Sequence, residues 1–166
     1  MDPFAEGDSM GYTRIAGSLL GTATTSRTKD QIDEEVDFIG ATLNTSSGSL
    51  YGASLKKHND KLLDLMSDIL LNPVFNQDEL DKIKKQTISD LAYSRSDPAS
   101  ISGIVGDVLL YGRDHPYGEV TTEASVGSVT LEMCEEFYNT YFNPNIAYLA
   151  IVGDIILSEA KKLTKK

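Results

Sequence analysis

The apolar spacing between residues 57 and 94 constrains the fold more than any other feature of this sequence. It predicts a helix over 57–71, because the apolar residues there recur at helical spacing: Leu62, Leu63, Met66, Ile69 and Leu70. A proline after Asn72 ends that helix. A second helix is predicted over 77–94, with Asn76 and Glu79 as a capping box at its start. Two successive amphipathic helices of this length need a further layer against which to bury their apolar faces.

Start and stop signals predict helices in five other places. We expect a helix over 11–20, a helix capped by Thr28 with Gln31 and stopped by Gly40, a helix over 98–111 with Pro98 in its first turn, one capped by Thr130, and a last one capped by Ser158. Each signal is local, because a side chain or a glycine satisfies backbone groups within one turn of itself.

Two regions have the composition of strands. Residues 41–55 lack a helical period and contain Ser47-Gly48, which predicts a hairpin or two sequential strands. The run IAYLAIV at 146–152 predicts a buried strand. Helices outnumber strands without regular alternation, so we expect an α+β fold: a two-layer sandwich with a mainly antiparallel sheet and helices on one face.

Length and charge limit the function classes. We expect a truncated or disordered start at 1–10 and a single domain at 11–166, cut from a longer chain. The formal net charge of −10 argues against a nucleic-acid partner, and no apolar run is long enough for membrane insertion. The one cysteine, Cys134, is expected to be a buried small hydrophobe, and His58 and His115 have no ligand partners nearby in the sequence.

The helix over 11–20 has the setting of a hydrolytic zinc site but lacks its residues. Such a site needs two histidines at i and i+4, with a glutamate between them as the general base. At that spacing this chain has Arg14, Gly17 and Ser18. Arginine does not coordinate zinc, serine is a poor ligand, and glycine cannot move a proton. We therefore predict that the chain has no catalytic residues and no metal ligands of its own.

Three segments, in order, resemble the pitrilysin, insulysin and mitochondrial processing peptidase family of zinc metallopeptidases. They are LLGTATTSRTKDQIDEEVDFIGATLNTSS, LLDLMSDILLNPVFNQDELDKIKKQTISDL and DHPYGEVTTEASVGSVTLEMCEEFYNTYFNPNIAYLAIVGDI. The resemblance runs from residue 11 to about residue 163, so it covers nearly the whole chain. It implies a fold like one domain of a processing-peptidase half, of the LuxS/metallohydrolase-like type.

The resemblance also locates the degenerate catalytic positions. The inverted His-x-x-Glu-His motif falls on Arg14, Gly17 and Ser18, and the later glutamate ligand falls on Asp90 or the adjacent Ser89. The supporting acid of the family falls on Ile83. Ile83 and Asp90 are seven residues apart and share a helix face. One hypothesis is that Arg14 pairs with Asp90 in place of zinc, and a solvated Asp90 is the alternative.

The same resemblance indicates a peptide-binding strand. In the family, the strand that matches ATLNTSS adds a substrate peptide to the sheet edge, and here Gly40, Asn44 and Ser46 would line it. The alternative is an ordinary polar edge strand, protected from aggregation by small hydroxyl residues. Both interpretations fit the sequence.

The resemblance therefore predicts a catalytically inactive peptidase-like domain that binds extended peptide. Its partner would be an active peptidase half or subunit, in a homodimer or a heterodimer, and zinc is expected only in that partner. The alternative is a fragment of a zinc metalloendopeptidase whose active site lies in a part not present here. We expect a soluble protein of the bacterial periplasm or cytoplasm, with any targeting segment removed by truncation.

Overall fold

The computed structural model describes residues 6–164 of the chain. Its elements follow in chain order: α1 (Tyr12–Leu20), α2 (Lys29–Phe38), β1 (Thr42–Thr45), β2 (Leu50–Ala53), α3 (Asn59–Leu71), α4 (Gln77–Ser94), α5 (Pro98–Tyr111), α6 (Glu123–Ser128), α7 (Leu131–Tyr141) and α8 (Leu157–Leu163). Short 3₁₀ turns occupy Gly7–Ser9, Lys56–His58 and Pro144–Ile146. The predicted α+β class and antiparallel sheet are confirmed, although the described sheet has two strands.

Local capping chemistry sets both ends of α2, as predicted. The Thr28 hydroxyl accepts the backbone N–H of Gln31, and the Gln31 side chain accepts the N–H of Thr28 at 2.9 Å. At the other end Gly40 has a φ of 58°, which an L side chain rarely adopts. The N–H groups of Gly40 and Ala41 donate to Asp37 and Val36, which makes a Schellman motif. This glycine ends the helix and turns the chain into β1.

The other predicted caps have mixed outcomes. Thr130 caps α7, and Pro98 lies in the first turn of α5 behind an Asp97 cap. Asn76 caps α4 through the N–H of Asp78, so the cap is confirmed but the predicted box with Glu79 does not form. The last prediction was wrong by two residues: the N-cap of α8 is Ile156, whose N–H donates to Glu159 at 3.5 Å, so Ser158 lies inside the helix.

The strands β1 and β2 form an antiparallel hairpin. Their register pairs Thr42 with Ala53 and Thr45 with Leu50, so residues 46–49 form the turn. This 46–49 turn is closed by the N–H of Ser46, which donates to the Ser49 carbonyl at 2.8 Å. Of the two sequence-based alternatives for residues 41–55, the structure has the hairpin.

Helix α1 lies at the centre of the core. It packs against α4 and α7, and its buried residues contact a cluster that includes Leu80, Val126 and Phe137. Cys134 is buried in the same cluster, as expected. A second cluster joins Leu20 to α2 and α3, and a third lies between the end of α2 and α3. The core therefore holds α1 rigidly on its buried side.

A charged network ties the loop before α2 to helix α3. Arg27 contacts Glu35 at 3.1 Å, Asp64 at 2.8 Å and Asp68 at 2.5 Å. The side chains of Arg27 and Asp68 are only 17% and 11% exposed. Asp68 also accepts hydrogen bonds from Thr24, Ser26 and Asn72. Burial by itself would raise the pKa of Asp68, but these hydrogen bonds together hold it well below its usual range.

The predicted buried strand at 146–152 was wrong. Residues 147–152 have no regular secondary structure and pair with no strand among residues 6–164. They are also exposed, with Tyr148 and Val152 almost completely accessible. Apolar and β-branched composition favours a strand only where a neighbouring strand supplies the ladder. Within the described chain no such neighbour lies beside this segment.

Two carboxylates hold the segment before α1. Of the stretch at 1–10 that the sequence expects to be truncated or disordered, residues 1–5 lie outside the described residues, and Glu6 is buried. The Glu6 carboxylate is buried and accepts hydrogen bonds from the Gly11 N–H and the Thr13 hydroxyl. Glu119 in turn accepts the N–H groups of Glu6 and Gly7. These contacts fasten the start of α1 to the loop before α6.

Candidate functional site

Helix α1 carries the three degenerate motif positions on two different faces. Arg14 and Ser18 are exposed, whereas Gly17 is buried. An exposed pair at i and i+4 has the geometry from which two ligands would project into one site. Arg14 and Ser18 therefore lie on one exposed surface of α1, whereas Gly17 lies on its buried side.

Gly17 lies in direct contact with the backbone of the 46–49 turn. A Cβ built at Gly17 would meet the Ser46 carbonyl carbon at 2.2 Å, the Ser47 nitrogen at 2.4 Å and the Ser46 oxygen at 2.5 Å. One helical turn later, a Cβ at Gly21 would meet the Thr45 side chain at 3.1 Å. The two glycines thus form a groove on α1 that receives the end of β1 and the turn.

Arg14 and Asp90 line one small cavity of about 100 Å³ between α1 and α4. Thr87, Ser94 and Thr121 add hydroxyl groups to its wall. The hypothesised ion pair is not formed: among residues 6–164, the ion pairs within 4.0 Å do not include Arg14 with Asp90. Instead the Asp90 carboxylate accepts a hydrogen bond from Gln86 at 2.8 Å. The solvated alternative for Asp90 is therefore the one that the structure has.

These residues do not fit a zinc ion. Ile83, at the position of the family's supporting acid, packs against the hydrophobic core. In the described part of the chain, no three His, Cys, Asp or Glu side chains come close enough together to hold a metal. At position 17 a Cβ would overlap the turn backbone. The described residues around Arg14 and Asp90 therefore do not form a set of zinc donors.

The predicted peptide-binding residues lie along one exposed face near β1. Asn44 lies on β1 opposite Tyr51, while Gly40 precedes the strand and Ser46 follows it. All three are exposed. Only Asn44 is therefore part of the strand itself, and Gly40 and Ser46 lie just beyond its two ends.

The remaining chemistry-bearing residues do not join this site. His115 stacks on the ring of Tyr111, with centroids 5.4 Å apart, and meets the ring of Tyr117 edge-on at 5.1 Å. Its Nδ1 accepts the N–H of Tyr117. The buried Cys134 is part of the core, and burial raises the pKa of its thiol to about 11. A thiol with that pKa is a poor nucleophile near neutral pH.

Sequence reasoning missed the role of Gly17 in packing. It identified the glycine as a lost catalytic residue, but a glycine inside a helix is itself a signal. It costs roughly 0.5–1 kcal/mol relative to alanine, so a buried helical glycine is usually there for a close contact. The contacting partner lies about 30 residues further along the chain, and only the structure identifies it.

The fold and the position of these residues define a domain built like a zinc metallopeptidase. Residues 5–103 match the family described as Insulinase (Peptidase family M16). The chain therefore belongs to the insulinase family, peptidase family M16. The resemblance inferred from the sequence is confirmed.

Known proteins agree with this assignment. An uncharacterized zinc protease of Rickettsia felis is 27% identical, over 96% of this chain and 41% of that protein. A protease from Helicobacter pylori has the same fold, with a TM-score of 0.81 and 18% identity over 97% of this chain and 41% of that one. A peptidase M16 inactive domain from Pseudomonas fluorescens has a TM-score of 0.64 and 22% identity, over 81% of this chain and 35% of that one. The chain thus spans less than half the length of these proteins.

Across residues 6–164, none of the helices combines the length and the apolar content that a bilayer crossing requires.

Proposed function

We propose that this chain is a non-hydrolytic domain of an M16-type peptidase, which binds extended peptide and pairs with a zinc-bearing half. The observation that carries the proposal is the contact at Gly17. Gly17 is the position that the sequence resemblance assigns to the general base, and a Cβ there would overlap the turn backbone. Arg14 and Ser18 at the two ligand positions supply no nitrogen or thiolate donor for zinc.

The test is metal content together with peptidase activity. The purified chain is assayed for bound zinc and for cleavage of an unstructured peptide, with and without a chelator. We expect no stoichiometric zinc and no cleavage that the chelator removes. Stoichiometric zinc with chelator-sensitive cleavage would refute the proposal, because the ligands would then come from residues that we exclude.

Peptide binding is assigned to the free edge of β1. The Ser46 N–H donates to the Ser49 carbonyl next to the turn, and bonded pairs alternate along an antiparallel ladder. Asn44 and Tyr51 are therefore a bonded pair, whereas the backbone groups of Leu43 point away from β2. In the described chain the sheet ends at β1, so an extended peptide can add a strand at this edge. Such binding uses backbone groups and survives the loss of catalytic side chains.

A pair of peptides tests this assignment. The first is an unstructured peptide labelled for fluorescence anisotropy, and the second is the same peptide N-methylated at alternate residues. N-methylation removes the N–H groups that a strand needs, but it leaves the side chains in place. We expect the first to bind and the second to lose at least tenfold in affinity. Equal affinities would show that binding does not use the strand edge.

Exposed apolar surface supports the pairing with another domain. Helix α5 has no buried residue, and Leu109 and Leu110 are 80% and 77% exposed. Residues 146–152 add further exposed apolar side chains, among them Tyr148 and Val152. Large exposed apolar patches on a protein usually mark an interface. The partner we propose is the zinc-bearing peptidase half.

Co-expression tests the pairing. The probe is a separate polypeptide, encoded in a neighbouring reading frame, that carries the intact His-x-x-Glu-His motif. We expect it to elute with this chain, and the Leu109→Glu/Leu110→Glu variant to abolish co-elution. Leu71→Glu, at a leucine on α3 that is 64% exposed, is the control and should leave co-elution unchanged. Equal co-elution of all three would remove α5 from the interface.

A second candidate is a fragment of a zinc metalloendopeptidase whose active site lies elsewhere in the protein. The observation that favours it is that the chain spans 41% of the Rickettsia felis relative. The two candidates differ in where the His-x-x-Glu-His motif is encoded. The same reading frame would favour the fragment, and a separate reading frame would favour a distinct non-catalytic subunit.

A further inference from the structure

We infer that the cavity between the start of α3 and helix α8 is a binding site for a small organic oxyanion, that is, a carboxylate or a phosphate monoester with an apolar body. This α3–α8 cavity has a volume of about 260 Å³, and the residues that line it lie within 56–60 and 155–163. None of these residues belongs to α1 or to the hairpin, so the inference depends neither on peptide binding nor on a peptidase partner.

Two segments that are distant in sequence form the wall of the α3–α8 cavity. The first supplies Lys56, Lys57, Asn59 and Asp60, and the second supplies Ile155, Glu159, Lys162 and Leu163. Lys56 bridges the two segments, because its Nζ lies 3.4 Å from the carboxylate of Glu159 and 3.9 Å from that of Asp154. Ile155 and Leu163 are half-buried, so the wall also has an apolar part.

Two of the three lysines in this wall have no carboxylate partner. Among residues 6–164, the ion pairs within 4.0 Å include neither Lys57 nor Lys162. The wall therefore carries an excess of positive charge, with three lysines against two carboxylates, on a chain whose formal net charge is −10. Ammonium groups that line one cavity repel each other, and an oxyanion bound between them would offset that repulsion.

The wall matches a ligand that has both a charged end and an apolar end. Each lysine ammonium group offers three hydrogen-bond donors to carboxylate or phosphate oxygens. The side chains of Ile155 and Leu163 offer contact to an apolar body, and the Asn59 amide can donate or accept one further hydrogen bond. A bare inorganic anion would leave the apolar part of the wall unused, and a neutral apolar molecule would leave Lys57 and Lys162 without an anion.

Four probes separate the charged part of the site from the apolar part. Phenyl phosphate and benzoate carry an oxyanion and a ring, inorganic phosphate carries only the anion, and benzyl alcohol has the ring without a charge. Each is titrated into the ¹⁵N-labelled chain, and the amide signals of residues 56–60 and 155–163 are followed by NMR. We expect saturable shifts with phenyl phosphate or benzoate, and a Kd roughly fivefold or more higher for the other two probes. The tighter of the first two identifies the oxyanion.

Three results of these titrations would overturn the inference. The first is the absence of saturable shifts in these signals with both phenyl phosphate and benzoate up to about 10 mM. The second is binding of benzyl alcohol with the same Kd, because the lysines would then contribute nothing. The third is binding of inorganic phosphate with the same Kd, because the apolar part of the wall would then contribute nothing.

Two double variants test whether the lysines of the wall hold the anion. Lys57→Ala/Lys162→Ala should raise the Kd of the tighter probe roughly fivefold or more, since it removes both unmatched cations. Lys85→Ala/Lys161→Ala is the matched control, because these lysines are exposed, lie outside the wall and give the same change in net charge. It should leave the Kd within about twofold of the parent value. Equal losses in the two variants would show that net charge attracts the anion, and would overturn the inference.

Thermal unfolding shows that the comparison is made on folded chains. Neither double variant removes an ion pair of the described residues, so both should keep the Tm of the parent chain. The variant Lys57→Arg/Lys162→Arg retains both charges and should retain the binding. A fivefold loss in this variant as well would show that positive charge at these two positions is not what binds the probe.

Discussion

The charged network around Arg27 makes the sharpest prediction about stability. Replacing Arg27 by alanine leaves the carboxylate of Asp68, which is 11% exposed, without its cation. Removing one partner of a fully buried ion pair costs about 3–5 kcal/mol. Asp68 keeps hydrogen bonds from Thr24, Ser26 and Asn72, which offset part of that loss. We therefore expect Arg27→Ala to lower the free energy of unfolding by about 2–3 kcal/mol.

Urea unfolding followed by circular dichroism measures this difference, with Arg95→Ala as the matched control. Arg95 contacts Glu123 at 2.6 Å, a distance as short as those in the Arg27 network, but the two side chains are 61% and 52% exposed. An exposed pair of this kind is worth about 0–1 kcal/mol. If Arg27→Ala costs no more than Arg95→Ala, burial does not determine the strength of these pairs and the argument fails.

Three further predictions concern single groups. In the parent chain, the free energy of unfolding should fall between about pH 4 and pH 2, because a carboxylate with a depressed folded-state pKa stabilises the fold above its unfolded pKa and loses that contribution as the pH falls. In Asp68→Asn this fall should be less steep. Urea titrations at several pH values that give the same slope for both chains would contradict this. Cys134 should react with Ellman's reagent at pH 8 only after urea is added, because the thiol is buried and burial raises its pKa to about 11. Rapid modification of the native chain would refute this prediction. Tyr138→Phe should lower the free energy of unfolding by about 1 kcal/mol, since its hydroxyl donates to the Leu70 carbonyl at 2.7 Å, and an unchanged urea midpoint would show that the bond contributes nothing.

Helix ends were predictable from the sequence because their chemistry is local. Thr28 and Gln31 satisfy each other's backbone groups within one turn, and Gly40 stops the helix through its own backbone conformation. A serine-glycine turn between two extended runs predicted a hairpin or two sequential strands, and the structure has the hairpin. Family membership was also predictable, because several ordered segments carried the resemblance.

The strand predicted at 146–152 shows where such local reasoning fails. Its composition fits a strand, but a strand forms only when a neighbour accepts its backbone hydrogen bonds. The Arg14–Asp90 pair failed for a related reason. Shared position around one cavity does not bring two exposed side chains together, and Asp90 had a nearer partner in Gln86 on its own helix.

The sequence by itself determined which groups stand at the positions that the resemblance assigns to catalysis: Arg14, Gly17 and Ser18 do not have the side chains of zinc ligands or of a general base. Tertiary structure alone decided what occupies the space that they leave. Gly17 meets the turn at Ser46, and Arg27 meets Asp68 some forty residues away, because the packing of α1 and α3 brings distant segments together. Side-chain chemistry is a property of each residue, whereas available space depends on every segment that packs around it.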